Sequence, residues 1–314
     1  MCTGPPLSDT APRPAGGVIG HTRAMTAAHT PILSPEALSR DLDRPDIRIV
    51  DVRWVLNAPG AGRAAYEAGH IPGAIFLDLD RDLAAPEGPG RHPLPSPAAF
   101  RERLEAAGIG SDDTVVAYDD TGGATAARLW WMLDDLGHER VAILDGGYPA
   151  WVAAGYKVST TEPEPRPGGH LTLRDAWTRV TDRDAVAAGL GTFVLLDARA
   201  GPRYRGEVEP VDRVPGHIPT ARSAPSASYL GPDGRLLGGA DLADRFATLG
   251  VDESNAASVV TSCGSGVTAS LTSLAMRMAG LPDPILYPGS YSDWSSAGLP
   301  IATGPEPGDP PDQT

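Results

Sequence analysis

Cys263 is the residue of this chain whose surroundings suit covalent chemistry. Val259-Val260-Thr261-Ser262 leads into it, Gly264-Ser265-Gly266 follows, and a helical pattern is predicted from Val267. That order puts the thiol at a strand tip, in a loop whose amides point inward, at a helix N-terminus. Amide donors and the positive end of a helix both favour a thiolate. A buried structural cysteine belongs inside an apolar strand or helix rather than beside a Gly-Ser-Gly turn. A cysteine phosphatase needs an arginine at the far end of its loop to grip phosphate, and this chain has Ala269 there. A thioredoxin-type oxidoreductase needs Cys-x-x-Cys, which Ser265 and Gly266 deny. A cysteine hydrolase needs a histidine base. His70 and His217 qualify by type, but each lies in a copy of Gly-His-Ile-Pro, the mark of a repeated structural turn. What remains is a nucleophilic thiolate in a loop of amides suited to holding one extra anionic sulfur atom.

The elements that must position this loop are written twice. Ser34-Pro35-Glu36 opens a helix, with Ser34 as its cap and Pro35 in the first turn. Buried strands are predicted at 47–52, 75–77, 114–118 and 141–144, and helices at 98–107 and 124–136. Strands alternating with helices imply a mostly parallel sheet flanked by helices on both faces. Leu195-Leu196-Asp197-Ala198-Arg199 then repeats Ile49-Val50-Asp51-Val52-Arg53, and Gly216-His217-Ile218-Pro219 repeats Gly69-His70-Ile71-Pro72. Tyr291 to Trp294 repeats Tyr148 to Trp151, and Cys263 falls where the first copy has Asp119. Four ordered matches at nearly constant spacing describe a duplicated domain, too long in period for a solenoid. Because aspartate cannot perform thiol chemistry, only the second copy is expected to be catalytic if the fold is catalytic at all. The stretch 160–169, rich in proline and charge, reads as a linker. The expected division is a disordered tail 1–29, an inactive first domain 30–157, a linker 158–170, a catalytic second domain 171–303 and a disordered tail 304–314. Met25 is a candidate initiator.

The 314 residues are 41% hydrophobic and 21% charged, a globular balance, with a formal net charge of −14 that disfavours nucleic acid or an anionic membrane as partner. No apolar stretch reaches membrane-spanning length. With only Cys2 and Cys263 in the chain, no structural disulfide is expected, and a reducing, cytoplasmic setting follows. No His, Cys and Asp cluster has metal-ligand spacing, so neither a metal nor an organic cofactor is expected.

From about 31 to 303 the chain resembles the tandem-rhodanese sulfurtransferases. The resemblance rests on Asp51-Val52-Arg53-Trp54, Gly69-His70-Ile71-Pro72-Gly73-Ala74, Ala126-Ala127-Arg128-Leu129-Trp130-Trp131 and Leu144-Asp145-Gly146-Gly147 in the first half. In the second half it rests on Asp197-Ala198-Arg199, Arg203-Tyr204-Arg205-Gly206 and the cysteine loop. It implies two tandem rhodanese-like domains, the first inactive, and transfer of a sulfane sulfur through a Cys263 persulfide held by the loop Gly264, Ser265, Gly266, Val267 and Thr268. Cys263-Gly264-Ser265-Gly266-Val267-Thr268 looks like the branch that prefers 3-mercaptopyruvate; the thiosulfate-preferring branch typically carries basic residues after the cysteine. Thiosulfate, a compact dianion, gains from cations beside its sulfur, whereas mercaptopyruvate carries its carboxylate farther off. Arg203 matches the family's first carboxylate-binding arginine. Arg213 lies near the second but out of register, in Glu209-Pro210-Val211-Asp212-Arg213, and thiosulfate:cyanide sulfurtransfer stays open as the alternative, with a non-enzymatic persulfide carrier or binding module as a remoter one. His70 and Trp54 match residues lining the cleft between the domains. The implied acceptor is cyanide, a thiol or a thioredoxin-like protein.

Overall fold

The computed structural model describes Met1 and residues 31–167 and 169–311. The expectations for 2–29, Met25 included, and for 312–314 lie outside the described residues. The first half is built from β1 (Ile32–Leu33), α1 (Pro35–Asp41), β2 (Ile47–Asp51), α2 (Ala61–Ala68), β3 (Ile75–Phe76), α3 (Leu79–Asp82), α4 (Pro97–Ala106), β4 (Thr114–Tyr118), α5 (Ala126–Asp135), β5 (Val141–Leu144) and α6 (Gly147–Ala153). The second continues with α7 (Arg183–Ala188), β6 (Leu195–Asp197), α8 (Gly201–Tyr204), β7 (Arg222–Ser223), α9 (Gly239–Thr248), β8 (Val260–Ser262), α10 (Ala269–Met278), β9 (Ile285–Leu286) and α11 (Ser290–Ser296). Ser34 caps α1 through Ala37 N–H at 3.2 Å, with Pro35 in the first turn.

Both sheets are parallel, in the orders β1-β5-β4-β2-β3 and β7-β6-β8-β9. A bridge from Val180 to Leu286 gives the second sheet the counterpart of β1. Side chains alternate between two cores, as a strand covered on both faces requires. In β2 and β4, Val50, Val115 and Ala117 face one apolar cluster, while Ile47, Ile49, Val116 and Tyr118 face another. In β6, Leu196 and Leu195 divide in the same way. The first of these clusters is common to both halves. At its centre α5, all ten of whose residues are buried, packs against α10. Two domains thus share one core, and α5, buried on every side, keeps its polar residues Arg128, Asp134 and Asp135 paired with partners from the neighbouring elements.

The repeated Asp-x-Arg motifs are structural. Asp51 accepts from Arg53 N–H and from its guanidinium, and Arg53 Nη2 donates to Gly69 O at 2.7 Å. Asp197, Arg199 and Gly216 repeat the arrangement. Each pair ties a strand end to the following Gly-His-Ile-Pro turn.

Residues 171–178 pack against the first half: Leu171 is buried in the shared core, Arg174 N–H donates to Leu136 O, and Trp177 stacks on Trp131. The stretch 304–311, expected to be a disordered tail, is bonded down. Gly304 N–H donates to Arg205 O, and Thr220 N–H donates to Pro307 O at 2.7 Å. Proline content hid both, because these segments find their backbone partners in other elements rather than in themselves.

Candidate active site

Cys263 follows β8, central in its sheet, at the C-terminal ends of the parallel strands, where open α/β sheets place their ligands. Cys263 N–H donates to Ser290 Oγ at 3.1 Å, and its carbonyl accepts from Tyr291 N–H at 3.0 Å. Gly264 O accepts from Ser292 N–H, so the start of α11 fixes the loop from behind. Ser265 N–H points at Cys263 Sγ, 3.4 Å away. Gly266 adopts φ +75°, and a β-carbon there would lie 2.5 Å from Pro288 O. The helix begins at Ala269 rather than Val267, because Val267 and Thr268 spend their carbonyls on tight turns to Ser270 and Leu271 N–H. Thr268 is the N-cap of α10 but makes no side-chain cap. Cys263 itself is only 2% exposed. The expectation that a loop cysteine would differ from a buried one therefore fails: this thiol is both, because the other domain covers it.

Ser265 Oγ lies 2.7 Å from His92 Nδ1, and His92 Nε2 lies 3.0 Å from Asp80 Oδ1. Asp80 Oδ2 also accepts from Trp54 Nε1 at 2.9 Å, and the Trp54 ring meets His92 edge-on at 5.3 Å. An ionised Asp80 only accepts, so neutral His92 carries its proton on Nε2 and Nδ1 receives the Ser265 hydroxyl proton. Burial pushes the His92 imidazole below its usual range, against the opposing pull of Asp80. Trp54 thus stands near the loop, one residue removed from it. His70 does not. Its ring is fully buried, stacked on Tyr66 at 4.0 Å, with Nδ1 on Tyr66 O and Nε2 on Thr161 O. His217 repeats this with Tyr204 and Glu306 O, which makes both histidines pins of the repeated turn.

Two guanidiniums lie over Gly264. A β-carbon on that residue would come within 2.7 Å of Arg91 Nη2 and 3.5 Å of Arg203 Nη1. Arg203 pairs with Glu209 at 2.7 Å and with Asp212 at 3.1 Å, and Arg91 pairs with the other oxygen of Asp212. Burial pushes the Asp212 carboxyl up. Burial acts on Glu209 too, but Arg203 and backbone N–H groups outweigh it and hold that carboxyl low. Arg213, expected beside Arg203, is exposed and lines the outer wall of a cleft of about 320 Å³ with Arg91, Asp212 and Ser292. Beneath the loop, Arg128 of α5 donates to Gly266 O, His92 O and Leu83 O.

His92, Asp80 and Arg91 were not singled out from sequence. They sit in or just before the stretch 83–97, which reads as a polar, proline-rich loop with no period of its own. The signal available was Arg91-His92 set among prolines, which stiffen a loop enough to present side chains. Among the described residues no group of three or more His, Cys, Asp or Glu side chains is placed to hold a metal ion, and no helix is long and apolar enough to cross a membrane.

The sequence matches the Rhodanese-like domain family twice, over residues 34–154 and 182–297. A Pseudomonas aeruginosa protein named as a probable 3-mercaptopyruvate sulfurtransferase is 45% identical over 284 residues, 87% of this chain and 98% of the relative. A Mycobacterium tuberculosis protein bearing the name of a thiosulfate sulfurtransferase, SseB, is 45% identical over 255 residues, 80% of this chain and 88% of the relative. The crystal structure of the Escherichia coli 3-mercaptopyruvate sulfurtransferase SseA superposes with a TM-score of 0.72 at 31% identity, covering 84% of this chain and all of that one. Two family matches in tandem, a duplicated parallel-sheet domain and a cysteine loop in the second copy converge on one conclusion: the chain belongs to the rhodanese-like sulfurtransferases of two-domain form.

Proposed function

We propose that the enzyme takes sulfur from 3-mercaptopyruvate onto Cys263 and passes it to a nucleophilic acceptor. Cys263 thiolate attacks the donor sulfur. The C–S bond breaks with its electron pair leaving on carbon as the enolate of pyruvate, and a Cys263 disulfanyl group remains. The donor thiol proton passes to Ser265 Oγ, whose own proton moves to His92 Nδ1, and returns to the enolate carbon to give pyruvate. Amides of the loop Gly264, Ser265, Gly266, Val267 and Thr268 receive the outer sulfur as an anion. Cyanide, a small thiol or a reduced thioredoxin-like protein then removes it, restoring the thiolate. A cytoplasmic setting suits a free catalytic cysteine.

The observation that carries this reading is the Cys263–Ser265–His92–Asp80 arrangement with Arg91 and Arg203 above it: a nucleophile, a proton path and cations for a carboxylate, drawn from both halves of the chain. After exposure to 3-mercaptopyruvate, the intact protein gains the mass of one sulfur atom, and cyanide removes it as thiocyanate. Cys263→Ser shows neither; a variant that still turned over would end the account. Thiosulfate is the second reading, favoured by the equally similar relative named for that donor. The loop at Gly264 and Ser265 is itself neutral, so kcat/KM for 3-mercaptopyruvate exceeds that for thiosulfate in one steady-state assay. The reverse order would assign the second reading. A mere persulfide carrier would take up sulfur without fast release to small acceptors.

A further inference from the structure

Cys263 lines neither of the two clefts at this junction of the domains. The outer cleft, of about 320 Å³, has Gly88, Gly90 and Arg91 on one side and Asp212, Arg213 and Ser292 on the other. A second cavity, of about 470 Å³, runs from Glu87, Gly88 and Pro89 to Val180, Thr181 and Asp184. The segment Pro86-Glu87-Gly88-Pro89-Gly90 stands between them, and Gly88 lines both. This segment is held at its ends. Ala85 N–H donates to Pro93 O at 2.9 Å, and Arg91 N–H donates to Ser292 Oγ at 3.1 Å. Between these ties the N–H groups of Glu87, Gly88 and Gly90 donate to no group among the described residues. Residues 86–89 are exposed. Gly88 and Gly90 adopt φ +145° and +78°, and a β-carbon on Gly90 would lie 2.5 Å from Gly289 O, so the segment rests directly on the start of α11. A stretch with no backbone bonds of its own and glycines at its bends opens locally, far below the cost of global unfolding.

We infer that residues 86–90 form a gate that decides which acceptors reach the sulfur carried by Cys263. The inference rests on the proposed transfer through that cysteine. Cys263 is 2% exposed, so a thiol mounted on a protein surface does not meet it while the segment lies on α11. Diatomic cyanide enters through the outer cleft without any such movement. Swung about Gly88 and Gly90 toward Thr181 and Asp184, the segment widens the outer cleft while Ala85 and Arg91 keep their ties. The second cavity is the room this swing requires. His92 lies outside the segment, between Arg91 and Pro93, so the gate opens without disturbing its bond to Ser265. Bulky acceptors react only with the open fraction of molecules, and their rates scale with that fraction; small acceptors react with both forms.

Probes of two sizes test the gate in the full chain. The small ones are iodoacetamide on the free thiol and cyanide on the sulfur-loaded enzyme. The large ones are fluorescein maleimide and reduced thioredoxin, with alkylation at Cys263 read by peptide mapping. Thr181→Trp fills the cavity and holds the gate shut. Both large-probe rates then fall about tenfold, while both small-probe rates stay within about twofold of wild type. Pro89→Gly frees the segment and raises the large-probe rates about threefold, again with the small ones unchanged. Thermal unfolding identifies a variant that fails to fold. Asp184→Trp, at the exposed rim of the same cavity, then stands in for Thr181→Trp. Large-probe rates unchanged by the tryptophan, or small and large probes slowed alike, overturn the inference. So does a wild type that reacts with both small probes and neither large one. Failure of the underlying reading is distinct: Cys263 then takes up no sulfur from 3-mercaptopyruvate, while the two alkylating agents still report the gate.

Discussion

In the proposed transfer the proton path turns on His92, and its charge state sets the acid side of the activity profile. Burial is the dominant influence and lowers its affinity for a proton; Asp80 opposes it, while Arg128 and Arg91 add to it. The imidazole therefore remains neutral, and able to accept, below the ordinary histidine value of about 6.5. The acid limb of kcat for sulfur uptake accordingly lies below pH of about 6.5, and Asp80→Asn, which removes the one raising influence, moves it lower still. A limb above that value, or an upward shift in Asp80→Asn, would contradict the assignment. His92→Gln keeps an amide near Ser265 but cannot take up a proton, and kcat drops by about 10²–10⁴-fold. The placing of Cys263 at a strand-to-helix turn was legible from sequence because Gly-Ser-Gly after a β-branched run has a direct mechanical meaning. His92 and Arg91 were not, because they reach Cys263 from the other domain, across more than a hundred residues of chain. Side chains that act in trans leave no local spacing to detect. Gly-His-Ile-Pro was legible as a turn for the converse reason: a histidine repeated in both domains serves what both domains share, whereas the family resemblance alone would set His70 at the cleft.

The strand–loop–helix unit around Cys263 has an internal control in its copy. Asp119 ends β4 as Cys263 ends β8, and its carboxylate accepts from the N–H groups of Thr121, Gly123, Thr125 and Ala126 at 2.7–3.0 Å. This turn of the fold is thus an anion cradle, and in the first domain the protein's own carboxylate fills it. The copy also has one more residue between the strand-end side chain and the helix start, Ala126 against Ala269, which opens its loop enough to take a carboxylate. The internal repeat set Asp119 opposite Cys263; that Asp119 is a structural ligand became visible only with its four donors. Asp119 is 1% exposed, so Asp119→Ala strands those N–H groups and lowers unfolding stability by more than about 3 kcal/mol. Urea titration measures the loss. Sulfur uptake per folded molecule is retained, because Asp119 touches neither the Cys263 loop nor the arginines above it. A variant as stable as wild type would show the cradle to be empty of energetic consequence. The strands themselves were legible because a two-sided parallel sheet demands continuous apolar runs. The boundaries at 158–178 and 304–311 were not, since they depend on partners supplied by distant chain.

At the scale of the whole molecule the two domains act as one site held by a buried cation. Arg128 is fully buried on α5, and burial pushes its guanidinium down to about 10, still positive at neutral pH, with the charge of Cys263 acting in the opposite direction. It donates to three carbonyls, one on the cysteine loop of the second domain and two on the segment of the first that carries His92. Among the described residues its buried Nε has no acceptor and no carboxylate pairs with it. Farther along the same helix pair, Asp134 of α5 binds Arg277 of α10 at 2.7 Å and Arg179 at 2.7 Å, locking the domains so that the Arg128 contact keeps its geometry. A cation buried this deeply is retained only where a negative charge compensates it, and the thiolate and persulfide of Cys263 are the anions available. Arg128→Met keeps the bulk and removes the charge. The rate of Cys263 alkylation by iodoacetamide at neutral pH then falls about tenfold or more, as expected when a buried anion loses its nearby cation. Stability falls less than a lost buried ion pair would require, since methionine fills the space and only carbonyl acceptors are orphaned. Unchanged alkylation with reduced stability would make Arg128 a strut alone; slowed alkylation at near-wild-type stability shows that the first, thiol-free domain supplies the charge on which the second domain's chemistry depends.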